Sequence, residues 1–114
     1  MASVQECQAA FDKLSIMLAS MDDSKRKEVI LDRTVSATIK DLGVMFAGRF
    51  GDGGLRDVRQ VPDDYPRAQI RLTMTSDDLL RLTDGELSFP AALAKGKLKI
   101  SASVLDLVKI RSLF

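Results

Sequence analysis

The sequence predicts a single α+β domain in which helical segments at both ends flank a block of strands. Near the start, apolar residues recur every three or four positions, at Val4, Cys7, Phe11, Leu14, Leu18 and Met21. Between Thr34 and Thr75 the period changes to two, the signature of strands with one buried face. After Thr75 come two capped helical segments, a short strand bounded by Gly96 and an apolar closing helix. The length of 114 residues suits one hydrophobic core, so residues 1–114 are read as one domain.

The first helix opens on Ser3-Val4-Gln5-Glu6, a capping box in which hydroxyl and carboxylate satisfy exposed backbone amides. Its apolar stripe suits packing on a sheet better than a coiled coil, because barely three heptads fit. Cys7 lies on the stripe and reads as a small buried hydrophobe. Asp22-Asp23-Ser24-Lys25-Arg26-Lys27 reads as a solvated charged turn.

Val35, Ala37 and Ile39 alternate with polar neighbours as the first strand, and Asp41-Leu42-Gly43 turns into the second, Val44 to Phe50. Gly51-Asp52-Gly53-Gly54 closes a hairpin into the third, Leu55 to Val61. Pro62 to Pro66 is a polar loop, and the fourth strand places Ala68, Ile70, Leu72 and Met74 on one side. The glycine run after Gly48 is no phosphate loop, since a strand rather than a helix follows it and no Gly-Lys-Ser/Thr is present. Asp52, Asp57, Asp63 and Asp64 match no calcium loop and read as turn and surface residues.

Thr75 or Ser76 caps a helix with Asp77 and Asp78 in its first turn, near the positive end of the helix dipole, and Leu79, Leu80 and Leu82 on its buried side. Asp84-Gly85 ends it. Ser88 caps a second short helix with Pro90 in its first turn, which Gly96 stops in a left-handed conformation. Lys97 to Ile100 is the fifth strand. The closing helix starts at a Ser103 cap and carries Val104, Leu105, Leu107, Val108, Ile110, Leu113 and Phe114, more apolar surface than a small domain can cover. Such an excess predicts a cavity or a partner.

Composition narrows the chemistry. Net charge is +1, so no global field attracts nucleic acid, and electrostatic recognition must be local. One cysteine excludes an internal disulfide, and the absence of histidine removes the commonest metal ligand and general base. No catalytic residue, metal ligand or cofactor is assigned. No run approaches a membrane span and no leader pattern is present, so a cytoplasmic protein is expected.

The order Ser76-Asp77-Asp78-Leu79-Leu80, Leu82, Asp84-Gly85, Ala91-Ala92 and Gly96-Lys97-Leu98-Lys99-Ile100, followed by a helix, resembles the C-terminal half of the sterol carrier protein-2 (sterol-binding) family. Two features depart from the family pattern: Ser101-Ala102-Ser103 stands in place of a Gly-Asp or Gly-Asn pair, and the second strand has no tryptophan. The resemblance implies a five-stranded, mostly antiparallel sheet with helices on one face enclosing an apolar tunnel. It implies a lipid, sterol, fatty acid or acyl-CoA as ligand, bound and transferred without catalysis.

The residues proposed to line the tunnel are Phe46, Phe50, Leu72, Met74, Leu82, Phe89, Leu93, Leu105, Val108 and Phe114. Met17, Met21, Met45 and Met74 are candidates for an adaptable lining, with core filling as the plainer reading. Lys95, Lys97, Lys99, Lys109 and Arg111 set positive charge near the closing helix, either as a solvated surface or against a head group or transient membrane contact. An empty tunnel of ~300 Å³ would cost on the order of 7 kcal/mol, so the ligand-free state is expected to be partly collapsed, hydrated or mobile over 101–114. The alternatives to a carrier are an accessory domain that presents an apolar intermediate to a partner enzyme, or a carboxylate-dependent isomerase or cyclase. The chain is expected to be a monomer or weak dimer.

Overall fold

In the computed structural model, residues 2–19, 33–51 and 54–111 are described. Helix α1 (Val4–Ala19) leads into strands β1 (Arg33–Ile39), β2 (Val44–Gly51), β3 (Gly54–Val61) and β4 (Ile70–Met74). Helices α2 (Ser76–Asp84) and α3 (Phe89–Ala94), strand β5 (Lys99–Ser101) and helix α4 (Val104–Arg111) follow. The expected extension of α1 to Met21, the charged turn at 22–27, the hairpin tip at 52–53 and the residues from Ser112 to Phe114 lie outside the described residues.

The five strands form one sheet in the order β3-β2-β1-β4-β5. The pairs β1–β2, β2–β3 and β4–β5 are antiparallel, while β1 and β4 run parallel. The architecture is therefore the α+β, mostly antiparallel sheet that the strand pattern and the family resemblance predict. Register sorts the side chains: Phe46, Ala37, Leu72 and Ile100 form one row across β2, β1, β4 and β5 on the inner face. Val44, Ile39 and Met74 form the next row.

The N-terminal capping box forms as expected. The Ser3 amide donates to Glu6 Oε1 and the Glu6 amide donates to Ser3 Oγ, each at 3.1 Å. From there α1 packs Cys7, Ala10, Phe11 and Leu14 into the core with Ile39, Phe46, Leu79, Leu82 and Ala92. Cys7 is fully buried, and burial first, then the nearby Asp41, Glu6 and Asp77, raises its thiol pKa. A protonated, buried thiol is a packing element rather than a nucleophile.

β1, β2 and β3 each extend one residue beyond expectation, and β4 and β5 start two residues late because other groups take the ladder hydrogen bonds. β5 begins at Lys99 rather than Lys97, since the Lys97 and Leu98 amides both donate to Ala92 O (2.9 and 3.2 Å) to close the end of α3 around Gly96. Gly96 has φ +72, as the predicted left-handed stop requires. β4 begins at Ile70 rather than Ala68. There the Gln69 amide donates to Thr34 Oγ1 (2.9 Å) and the Thr34 amide donates to Gln69 Oε1 (3.2 Å), so side chains stand in for the ladder.

Asp41, in the turn after β1, ties the sheet to α2. It accepts from the Ser76 amide at 2.8 Å and the Ser76 hydroxyl at 2.6 Å, and the Ala2 amide donates to the same buried Ser76 Oγ. The Ser76 hydroxyl bond above all holds the Asp41 carboxyl below its ordinary value. A depressed native pKa contributes stability that is present above the unfolded value and lost as pH falls through the native one. In urea unfolding followed at descending pH, wild type is thus expected to lose stability more steeply below about pH 4 than Ser76→Ala. The variant should already be weaker at pH 7 by about 1–3 kcal/mol.

Candidate functional site

The inner face of the sheet does not close completely. Between it and the helices lies a cavity of about 110 Å³ with an entirely apolar lining. The first helix contributes Phe11 and Leu14, the third Phe89. The sheet contributes Val35 and Ala37 from β1, Phe46 and Phe50 from β2, Leu55 and Val58 from β3, Ile70 and Leu72 from β4 and Ile100 from β5, with Leu98 just before it.

Small residues create the space. Ala37 sits directly between Phe46 and Leu72 in the inner row, so two large side chains flank a position that carries only a methyl group. Gly48 plays a second part. A Cβ there would lie 2.8 Å from both Arg56 O and Val58 Cγ2. The β2–β3 register shifts between Ala47 and Arg49, and Asp57 takes a φ of +59 opposite that shift. This bulge brings Val58 over Gly48, where any larger residue would collide with backbone. Phe11 and Phe46 meet at one wall with ring centroids 5.0 Å apart and planes tilted by 46°, an arrangement favoured by aromatic quadrupoles.

Of the residues proposed from sequence, Phe46, Phe50, Leu72 and Phe89 come together around this cavity. Met74 and Leu82 lie in the solid core beside it, 2% and 4% exposed. Leu93 is at the surface, and Leu105 and Val108 are 63% and 61% exposed on α4. Phe114 lies outside the described residues, as do the Met17, Met21, Lys109 and Arg111 side chains. Met45 stands on the outer face of the sheet, across from Thr38. Sequence reasoning did not single out Ala37, Gly48 or Val58 as lining. A small residue on the buried face of a strand was the available signal for Ala37. The bulge that recruits Val58 leaves none, because it depends on pairing between strands.

The closing helix is fastened away from the cavity lining. Ser103 Oγ accepts from the Asp106 amide (3.2 Å) as the predicted cap, and Arg33 Nε donates to the buried Asp106 carboxylate at 3.1 Å. This pair joins the start of β1 to α4, while Val104 on the same helix is 79% exposed. Asp106→Asn is expected to speed amide hydrogen exchange across 104–108 by about tenfold and leave α1 unchanged, the loss of one charge-assisted bond. Exchange that stays at the wild-type rate would show that other contacts hold the helix.

Residues 14–114 match the SCP-2 sterol transfer family. The chain belongs to that family. Solved structures agree on the fold. A palmitated sterol carrier protein 2-like 2 from Aedes aegypti aligns with a TM-score of 0.65 at 18% identity, covering 97% of this chain and 92% of that one. A ubiquinone synthesis protein, UbiJ-SCP2, aligns with a TM-score of 0.61 at 16% identity, over 99% of this chain and 92% of its own. A double mutant of the sec-alkyl sulfatase PisA1 contains a similar segment, with a TM-score of 0.62 and 25% identity over 91% of this chain but 15% of the sulfatase. No curated protein matches. Membership in the SCP-2 sterol transfer family supports lipid binding or transfer in general terms. None of the described helices is long and apolar enough to cross a membrane.

Proposed function

We propose that this SCP-2 family member is a non-catalytic carrier that holds the hydrocarbon part of a lipid, a fatty acyl chain or a similar apolar molecule in a tunnel opened from the inner-face cavity. The observation that carries this reading is the lining itself: every side chain around the cavity is hydrocarbon. Such a wall rewards burial of methylenes at ~0.8 kcal/mol each. It offers no proton carrier, which disfavours the isomerase or cyclase alternative.

The cavity volume sets a condition on binding. At 110 Å³ it is smaller than the ~150 Å³ apolar cavity that admits benzene, so a long chain must widen it. Left empty it costs about 3 kcal/mol, against on the order of 7 kcal/mol for a tunnel of ~300 Å³. A nearly closed resting cavity that opens around its guest is therefore the cheaper design. The wall best suited to move is the α3–β5 edge, where Phe89 and Ile100 are only half-buried and the edge strand is three residues long.

Mass spectrometry of the native protein from its own host is expected to reveal a co-purifying apolar molecule. Fatty acid at about 100 times its Kd should add about 2.7 kcal/mol to stability and raise the thermal midpoint by about 10 °C or more. A midpoint indifferent to saturating fatty acids and sterols would overturn the carrier reading.

A second reading has one observation in its favour. The segment similar to this chain in the sec-alkyl sulfatase is a small part of a larger enzyme, which fits a domain that presents an apolar intermediate to a catalytic partner. That role would give a stable complex with an enzyme and little autonomous transfer between vesicles. A carrier acting alone would give the reverse.

A further inference from the structure

The outer face of the same sheet is built from different chemistry. Across β1, β4 and β5 the register sets Ser36, Arg71 and Ser101 in one row and Thr38, Thr73 and Lys99 in the next. The loop between β3 and β4 adds Tyr65, Pro66 and Arg67 along one side, and with the apolar Met45, Ala68 and Ile100 these residues surround a groove of about 470 Å³. Three cations and five hydroxyls line it, and no carboxylate does. In a chain whose net charge is only +1, this is a local concentration of positive charge.

The arrangement is partly organised in advance. The Arg71 guanidinium donates from Nη1 to Ala68 O (3.3 Å) and from Nη2 to Ser101 Oγ (2.8 Å), which fixes its plane along the groove. A guanidinium has five N–H donors, so three remain. Ser36 is buried in the floor, whereas Arg67 and Lys99 stand exposed at the rim. Hydroxyl donors below, a positioned guanidinium beside them and exposed cations above are the groups that recognise a phosphoryl dianion.

We propose that this groove is a binding site for a small phosphate-bearing molecule, with the phosphoryl group seated on the hydroxyl floor between Arg71, Arg67 and Lys99. Its volume falls within the range of small-molecule sites. A flat anionic bilayer would meet Arg67 and Lys99 at the rim and leave the floor hydroxyls unused, so a soluble phosphate fits the recess better. The site lies on the opposite face from the apolar cavity and does not depend on what that cavity holds.

Titration of the full chain with inorganic diphosphate, followed by amide NMR, is expected to give saturable shifts at Ser36, Thr38, Thr73 and Ser101. Lys99→Gln combined with Arg67→Gln, both at exposed positions, should weaken binding about tenfold or more. Arg56→Gln, on β3 and outside the groove lining, should leave it unchanged. Absence of saturation up to about 10 mM diphosphate, weaker than any useful site, would overturn the proposal. So would equal losses in all variants, which would mean diffuse surface charge. Shifts produced by phosphatidylglycerol vesicles but not by diphosphate would assign the face to a bilayer and likewise overturn it. Fatty-acid binding by the same variants is expected to match wild type, so the carrier reading and this one stand or fall separately.

Discussion

Ala37→Phe is expected to abolish binding of long-chain ligands while leaving the protein folded. Ala37 points from β1 into the cavity between Phe46 and Leu72 and is 3% exposed. The added phenyl ring brings roughly 100 Å³ of side chain into a cavity of about 110 Å³, so it fits the existing space with limited overpacking. Overpacking penalties of about 1–3 kcal/mol are the upper expectation, and part of the cavity cost is recovered when the void is filled. Ligand, by contrast, loses the place where its chain would enter. Displacement of a fluorescent fatty acid should show at least a tenfold weaker Kd, equivalent to about 1.4 kcal/mol, with near-native circular dichroism. Full retention of affinity would mean that the ligand binds elsewhere.

Phe46→Ala should produce the largest loss of stability of any single substitution considered. Phe46 is 1% exposed, belongs to the main core and stacks obliquely on Phe11 across the cavity wall. Truncation of a buried phenylalanine costs about 3–5 kcal/mol, a large share of the ~5–15 kcal/mol that holds such a domain together. Here the new void merges with one that already exists, so collapse around it is less able to compensate. The thermal midpoint is expected to fall by about 12 °C or more. The enlarged cavity should also make the variant more responsive to an apolar guest, with a larger ligand-induced rise in midpoint than wild type shows. A variant that loses stability but gains nothing from ligand would separate Phe46 as core from Phe46 as binding wall.

The two substitutions act on neighbouring positions of one row in opposite senses, one filling the space and one enlarging it. If the cavity is the ligand site, affinity and stability should therefore move apart in Ala37→Phe. They should move together on addition of ligand in Phe46→Ala. A purely structural void would give changes in stability alone.

Much of this architecture is local and was legible in the chain. The Ser3/Glu6 capping box, the Ser88 and Ser103 caps, the helix end at Gly85 and the left-handed stop at Gly96 involve groups within a few residues of each other. The alternation in β1 likewise names Val35, Ala37 and Ile39 as its inner-face residues, because successive side chains on a strand must point to opposite faces, though it does not show that Ser36 on the outer face is buried as well. The chain-end details of β4 and β5 were not legible, since they turn on competition for hydrogen bonds by Thr34, Gln69 and the end of α3.

The candidate site divides in the same way. Phe46, Phe50, Leu72 and Phe89 could be proposed as lining from size and pattern, yet the same criteria nominated Met74 and Leu82, which the fold places in solid core. Periodicity says that a residue is buried but not whether the neighbour opposite fills the space. That depends on cross-strand register, which sets Ala37 between two large side chains, and on the bulge that lays Val58 over Gly48. The polar groove on the outer face has the same origin, for Ser36, Arg71 and Ser101 are far apart in the chain and meet only because β1 pairs in parallel with β4. The sequence by itself determined the fold class, the capped elements and an excess of apolar surface, because propensity, capping and periodicity act over short distances. Only the tertiary structure decided where the space lies, how large it is and which side chains face it, because those are properties of strand register and packing between distant segments.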